Sequence, residues 1–228
     1  SKERYEEVVK HYEEVGGISP LNRLTFAQAE ALRDLLAREG PALPVYAGMR
    51  HWEPSIAETL AAMAREGRRR AAGIVLAAHR SPVSWEAYLR AAAEAQKRLG
   101  DAAPAVDYVA PWSDHPLFIE ALAARTSEAL LAVPPDRRAG AEVVFTAHSI
   151  PVEMSRQAGY ADGISRTAGL VAGRLGIRSW SLAYTSRSGS PKDPWLEPDI
   201  GDALRALKTR GARDVVVSPI GFVSDHVE

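Results

Sequence analysis

The chain of 228 residues contains no cysteine. This absence excludes disulfide bonds, thiolate nucleophiles and an iron–sulfur cluster ligated by cysteine from this segment. It also fits a reducing compartment, and we expect a cytoplasmic protein. For any bound metal we therefore expect nitrogen and oxygen ligands.

Long apolar runs and a strong net charge are missing as well. No stretch approaches the roughly 18 uninterrupted apolar residues of a membrane-spanning helix, and no signal peptide opens the chain. The 28 basic residues nearly balance the 29 acidic ones, so we expect no nucleic-acid partner. The chain begins without methionine and stops at Glu228 directly after a strand-like run, which suggests part of a longer protein.

Several nucleotide and hydrolase motifs are absent too. The chain has no P-loop and no Gly-x-Gly-x-x-Gly after a predicted strand, which argues against nucleotide binding. It has neither the His-Glu-x-x-His of a zincin helix nor the Gly-x-Ser-x-Gly of a nucleophile elbow. Any chemistry of this protein must therefore depend on residues outside these motifs.

What the sequence does contain is a regular alternation of strand-like and helix-like segments. Strands are predicted at 43–49, 73–77, 106–110, from 143 onward, 179–184 and 214–218. Helices are predicted at 1–15, from Thr25 to about Gly40, at 55–65, 84–99, 116–131, within 164–175 and at 199–209. Such alternation is typical of an α/β fold in which helices flank parallel sheets. One sheet would satisfy it, but the Pro- and Trp-rich crossover near residue 111 favours two lobes, 1–111 and 112–228.

Histidines follow several of the predicted strands. His148 follows the apolar run Val143–Phe145, after Thr146 and Ala147, and His51, His79 and His226 follow other predicted strands. Ligands of open α/β sheets bind beyond the carboxyl ends of the strands. A histidine there can exchange a proton near neutral pH or bind a metal. The alternative for His148 is a residue that only orders the turn.

The end of the chain supplies carboxylates that could join His148. Asp225, His226 and Glu228 follow the last predicted strand, and together with His148 they could bind a divalent metal or transfer protons. Asp225 could instead be the N-cap of a following helix, with Glu228 completing a capping box. The residues alone leave both interpretations open.

Four motifs resemble those of the ferrochelatase family, whose members insert ferrous iron into a porphyrin. The run from Thr146 to Pro151 (Thr-Ala-His-Ser-Ile-Pro) resembles the family's strand-end signature around its active-site histidine. The run 12–21, with Gly-Gly-Ile-Ser-Pro-Leu, is similar to an early family motif. The run 193–199 resembles the family's Pro-Trp-Leu loop, and the run 219–228 resembles its Gly-Phe-x-x-Asp-His-x-Glu segment.

The resemblance implies a fold and a set of site residues. The fold would be two Rossmann-like, chelatase-type lobes with a cleft between them. His148 would be the catalytic and metal-binding histidine, and Glu228 the catalytic and metal-binding carboxylate facing it. The porphyrin would be contacted by Tyr12, Ser19, Ser113, Trp195, Asp225 and His226.

The resemblance also implies the substrates. They would be Fe²⁺ and either protoporphyrin or coproporphyrin, with no cofactor beyond the iron itself. Contact with a membrane surface or with a partner of the haem pathway stays open. A cobalt or nickel chelatase of another tetrapyrrole, and a non-catalytic porphyrin- or haem-binding module, are the alternatives. The family's N-terminal strand and lip, and the part that follows its glutamate, have no counterpart in this sequence.

Overall fold

The computed structural model describes Val9, Glu13, residues 16–17, 19–189 and 193–224. Four predicted site residues, Tyr12, Asp225, His226 and Glu228, lie outside the described residues, as does most of the helix predicted over 1–15. The chain divides into two compact units. One is drawn from 1–72, 88–107 and 224–228, and the other from 73–87 and 108–223. Our single boundary between residues 111 and 112 stays a prediction.

Among its described segments from residue 19 onward, the first unit contains two helices and two short strands, together with most of a third helix. Its helices are α1 (Leu21–Glu39), α2 (Ile56–Arg65) and α3 (Trp85–Leu99), and its strands are β1 (Arg70–Gly73) and β2 (Ala105–Tyr108). The two strands form a two-stranded sheet. The core of this unit is built from Leu60 and Met63 of α2 packed with Ala92 and Ala95 of α3.

The boundaries of the helices follow from local capping. Ser55 precedes α2, and its side chain and that of Glu58 form a reciprocal capping box, as the predicted start near residue 55 requires. Helix α1 begins at Leu21, so the predicted start at Thr25 is wrong. Pro20 has a backbone geometry suited to the start of a helix, and its carbonyl oxygen accepts a hydrogen bond from the Leu24 amide at 2.9 Å.

Two strand predictions in the first half of the chain are also wrong. The segment 43–49 is no strand, and only Met49 makes an isolated bridge, to Ser55. The predicted strand 73–77 lies earlier, at β1, because the partner strand β2 pairs with residues up to Gly73. Beyond β1, the carbonyl oxygen of Val75 accepts a hydrogen bond from the Trp112 indole N–H at 3.0 Å, and not from a neighbouring strand.

The second unit holds a three-stranded sheet. Its strands are β3 (Glu142–His148), β4 (Trp180–Thr185) and β5 (Val215–Pro219), in the order β4-β3-β5, and both pairings are parallel. Its helices are α4 (Pro116–Leu131), α5 (Pro135–Arg138), α6 (Val152–Ala158), α7 (Tyr160–Leu175) and α8 (Ile200–Thr209). Within this unit the predicted helices and strands lie within a few residues of their observed bounds.

Strand β3 is central because both of its faces are buried. Val143, Phe145 and Ala147 pack on one face with residues of α4 and α7, including Ile119 and Ile164. Val144, on the other face, packs with Ala183 and with Leu207 of α8. The predicted α/β fold with parallel strands flanked by helices is therefore confirmed.

None of the described helices combines the length and the apolar character that crossing a bilayer requires.

Candidate functional site

His148 is the last residue of β3, at the carboxyl edge of the three-stranded sheet. It lies beside Thr185, the last residue of β4, in the parallel register. The preceding residues of β3 from Val143 to Ala147 are buried, whereas His148 is half-buried. The strand thus holds the backbone of His148 rigidly while its side chain sits at the margin of solvent. This is the position at which open α/β sheets bind ligands.

The His148 ring has a defined orientation. Its Nδ1 atom lies 2.6 Å from the carbonyl oxygen of Ser149. A carbonyl oxygen only accepts hydrogen bonds, so Nδ1 carries the proton. In the neutral ring the lone pair is then on Nε2, the atom that can accept a proton or bind a metal. Metal-binding histidines commonly donate their second N–H to a backbone carbonyl in this way.

The segment that follows His148 is paired with the loop 193–198. The Ser149 hydroxyl donates to Leu196 O at 2.9 Å, and the Leu196 amide donates to Ile150 O at 3.0 Å. Pro151 and Trp195 form an isolated antiparallel bridge. The chain beyond His148 and this loop are therefore fastened to each other by both side-chain and backbone hydrogen bonds.

Trp195 is largely covered by the protein itself. Only 9% of its surface is exposed. The Arg187 guanidinium lies 5.8 Å from the ring centroid, in cation–π geometry. A Cβ atom added at Gly189 would lie 2.4 Å from the ring, so this position has no room for a side chain. Trp195 anchors its loop, and any contact with a macrocycle would use only the small part of the residue that is exposed.

Tyr160, the first residue of α7, supports His148 from inside the unit. Its hydroxyl donates to the carbonyl oxygen of His148 at 3.2 Å, and only 7% of the residue is exposed. Burial raises the pKa of Tyr160, with a smaller contribution from nearby Tyr184. The hydroxyl is therefore protonated at neutral pH and remains a donor. A second buried histidine, His79, packs against the ring of Tyr160.

Two other predicted site residues, Ser113 and Ser19, are also among the described residues. Ser113 lies in the crossover before α4, and its carbonyl oxygen accepts from the Thr167 hydroxyl at 3.0 Å, which ties the crossover to α7. Ser19 lies in the first unit, where its hydroxyl accepts from the Leu21 amide at 3.3 Å. The roles that we predicted for Ser19, Ser113, Trp195 and His148 stay predictions.

Metal ligation cannot be completed within the part of the chain that the structure describes. No group of three or more His, Asp or Glu residues there is close enough to hold an ion. His148 is thus a single described ligand, and the predicted partner Glu228 lies outside the described residues.

Sequence reasoning missed Tyr160, Thr167 and the bonding role of Ser149. One signal for Thr167 was available, because Tyr160, Ile164, Thr167, Ala168 and Val171 recur at the spacing of one helix face. A polar residue within such an apolar stripe needs a buried partner. Nothing in the sequence shows that the partners are His79 and Ser113.

Comparison with known proteins gives a consistent result. The sequence model of the Ferrochelatase family matches residues 1–228. A coproporphyrin III ferrochelatase of Mycolicibacterium vanbaalenii is 41% identical over 230 residues, which cover 100% of this chain and 68% of that protein. Coproporphyrin III ferrochelatases of Mycobacterium leprae and Mycobacterium avium are 41% and 42% identical over 229 residues, which cover 99% of this chain and 67% and 66% of those proteins.

Proposed function

The chain belongs to the ferrochelatase family, and we propose that it inserts Fe²⁺ into coproporphyrin III, with His148 as the central catalytic residue. The reaction type follows from the family: the protein is an enzyme that inserts iron into a porphyrin in haem biosynthesis. The match to ferrochelatases disfavours the alternatives of a cobalt or nickel chelatase and a non-catalytic porphyrin-binding module. The identity of the porphyrin and the roles of individual residues make up the proposal.

The choice of coproporphyrin III is supported by the relatives. Those at 40–42% identity over essentially the whole chain are named coproporphyrin III ferrochelatases. Coproporphyrin III carries more carboxylate groups than protoporphyrin, so a site built for it should use the additional carboxylates to bind and orient the ring. We therefore expect kcat/KM for coproporphyrin III to exceed that for protoporphyrin IX by about tenfold or more. With protoporphyrin IX, the groups of the site that bind the additional carboxylates would lose their partners. Equal values for the two porphyrins would contradict this choice.

The observation that carries the role of His148 is its 2.6 Å hydrogen bond from Nδ1 to Ser149 O. This bond leaves the Nε2 lone pair as the reactive atom at the carboxyl edge of the sheet. Metallation requires the loss of both pyrrole N–H protons and the transfer of Fe²⁺ to the four ring nitrogens. Nε2 can accept a pyrrole proton or hold the incoming ion, and both tasks need the same lone pair.

Glu228 is the proposed partner of His148. The resemblance places it opposite the histidine, as a carboxylate that ligates iron and passes protons onward. Histidine nitrogen and carboxylate oxygen are suitable ligands for Fe²⁺. Binding the porphyrin in a puckered form would expose its nitrogen lone pairs, with the strain drawn from contacts to the rest of the macrocycle.

The test is an anaerobic metallation assay followed by porphyrin absorbance, with Zn²⁺ as a second metal. Replacing His148 with alanine should lower kcat by about a hundredfold or more, the usual contribution of a positioned acid–base group. The matched control is His115→Ala, because His115 only caps α4 by accepting from the Leu117 amide. Near wild-type turnover of His148→Ala would overturn the proposed role.

A further inference from the structure

His79 is the most deeply buried histidine among the described residues. Only 4% of its surface is exposed. Its ring makes edge-on contacts with two aromatic rings, Phe118 at 6.4 Å and Tyr160 at 6.2 Å between centroids. Its Nε2 atom lies 3.0 Å from the Thr167 hydroxyl, and its Nδ1 atom is buried without a hydrogen-bond partner in the described structure. A buried polar atom left unpaired in this way calls for a physical explanation.

The hydrogen bonds of Thr167 decide the tautomer of His79. The Thr167 hydroxyl donates to Ser113 O and Gly163 O, each at 3.0 Å, and these two contacts share its single proton. Towards His79 the hydroxyl oxygen can therefore only accept. Nε2 of His79 carries the proton, and the unpaired Nδ1 bears a lone pair rather than an N–H.

A neutral ring is the only form that suits this site. Protonation would place a second N–H on Nδ1, where no acceptor is available among the described residues. Consistent with this, burial lowers the pKa of His79 to about 4. His79 thus acts in the fold as a flat aromatic group that one hydrogen bond to Thr167 holds in a fixed orientation.

The contact with Tyr160 links this ring to the reaction site. The two rings are inclined by 77°, an edge-on arrangement in which the His79 ring limits how far the tyrosine ring can swing sideways. The hydroxyl at the far end of the same tyrosine donates to the backbone carbonyl of His148. A swing of the Tyr160 side chain about its Cα–Cβ bond would carry the hydroxyl away from that carbonyl and remove one support from the end of β3.

We propose that His79 is a positioning residue, which holds Tyr160 so that the Tyr160 hydroxyl fixes the backbone of His148. The inference rests on the proposed role of His148 and extends it to a residue that is buried inside the unit. Displacements of about 1 Å in a reacting group can cost about a hundredfold in rate, so such support affects turnover directly.

The experiment compares variants that keep or remove the aromatic ring at residue 79. His79→Phe keeps the edge contact with Tyr160, whereas His79→Gln keeps an N–H donor towards Thr167 but loses the ring. We expect kcat within about threefold of wild type for His79→Phe and about tenfold to a hundredfold lower for His79→Gln, the range seen when supporting partners of a metal ligand are removed. KM for the porphyrin should change little. His79→Met also lacks the ring and takes the place of His79→Gln if that variant fails to fold.

Tyr160→Phe is the second single variant of a double-mutant cycle with His79→Gln. It removes only the hydroxyl that reaches His148, so it should lower kcat as His79→Gln does. The double variant should lose little more than either single variant, because both remove one chain of contacts. Losses that multiply in the double variant, or wild-type kcat in His79→Gln, would overturn the proposal.

The imidazole NMR resonances of His148, recorded without porphyrin or metal, give a readout that does not depend on activity. They should shift in His79→Gln and Tyr160→Phe. They should stay in place in Thr126→Ala, which breaks another buried hydroxyl pair, Thr126 with Ser218, where Ser218 lies beside Phe145 rather than His148. If His79→Gln loses stability but the His148 resonances stay in place, His79 only packs in the core and the proposed positioning role is wrong. If the wild-type protein does not metallate porphyrin while the resonances still shift, the proposed function fails and the positioning role stands.

Discussion

The hydroxyl of Ser149 donates a 2.9 Å hydrogen bond to the carbonyl oxygen of Leu196. Ser149 is the residue after His148 and is 2% exposed, and Leu196 follows Trp195 in the loop 193–198. The bond joins the carboxyl end of β3 to a loop that is distant in sequence. The end of β3 that carries His148 and this loop are therefore held together.

Removing this bond should lower both the stability of the fold and the turnover of the enzyme. Ser149→Ala leaves the partly buried carbonyl of Leu196 without its side-chain donor, which should lower the free energy of unfolding by roughly 0.5–1.5 kcal/mol. It should also lower kcat, because the loop and the strand end lose their common support. Chemical denaturation and metallation kinetics measure the two effects.

Ser155→Ala is the matched control for this change. Ser155 is similarly buried, at 3% exposure, but its hydroxyl serves only the turn before α7 by accepting from the Ala161 amide. This variant should lose stability while keeping the kcat of the folded protein. Equal losses of kcat in the two variants would show that Ser149 has no special link to the site.

A methyl group at Gly221 should disturb the end of β3 directly. A Cβ atom there would lie 2.9 Å from the Cβ atom of Ala147, a residue with no exposed surface. Gly221→Ala should therefore cost roughly 1–3 kcal/mol of stability through overpacking and should lower kcat by shifting the neighbouring His148. Thermal unfolding and the metallation assay test both expectations.

Gly173→Ala provides the comparison for Gly221→Ala. Gly173 lies in α7, and a Cβ atom there would have no neighbour within 4 Å. Alanine favours helix over glycine by about 1 kcal/mol, so this variant should be as stable as wild type or more so. Destabilisation by both substitutions alike would contradict the packing argument at Gly221.

Replacing Glu228 with glutamine should separate metal binding from porphyrin binding. The substitution keeps the size of the side chain and removes the charge that the proposed iron ligand needs. KM for the metal should rise by about tenfold or more, whereas the Kd of the porphyrin, measured by absorbance titration, should stay within about threefold. A loss of porphyrin affinity with unchanged metal dependence would exclude Glu228 as a ligand.

The pKa of His79 predicts an acid-sensitive fold. Burial lowers this pKa from 6.5 to about 4, so between these values the unfolded chain binds a proton that the folded chain does not. Its contribution to stability is fully present above about pH 6.5 and decreases as the pH falls towards 4, by about 3 kcal/mol in all. Denaturation of wild type and His79→Gln at several pH values isolates this contribution. The stability difference between the two should change across this range.

The second unit was largely predictable because its signals are local. The buried run Val143–Phe145 predicts a strand from side-chain pattern alone, and Pro116 marks the start of α4 with its preset backbone angle. The first unit was less predictable. The segment 43–49 has strand-like residues but pairs with no strand among the described residues, and β1 ends where its partner β2 ends. A strand needs hydrogen-bond partners, and partners are a property of the fold.

The sequence by itself determined the α/β class, the place of His148 at a strand end and the family resemblance, because all three depend on residue types at fixed spacing. Tertiary structure alone decided that Ser149 bonds to Leu196, that Tyr160 supports the His148 carbonyl and that His79 lies against Tyr160. These contacts join residues far apart in the chain. No local pattern encodes them, because only packing of the helices on the sheet brings their atoms together.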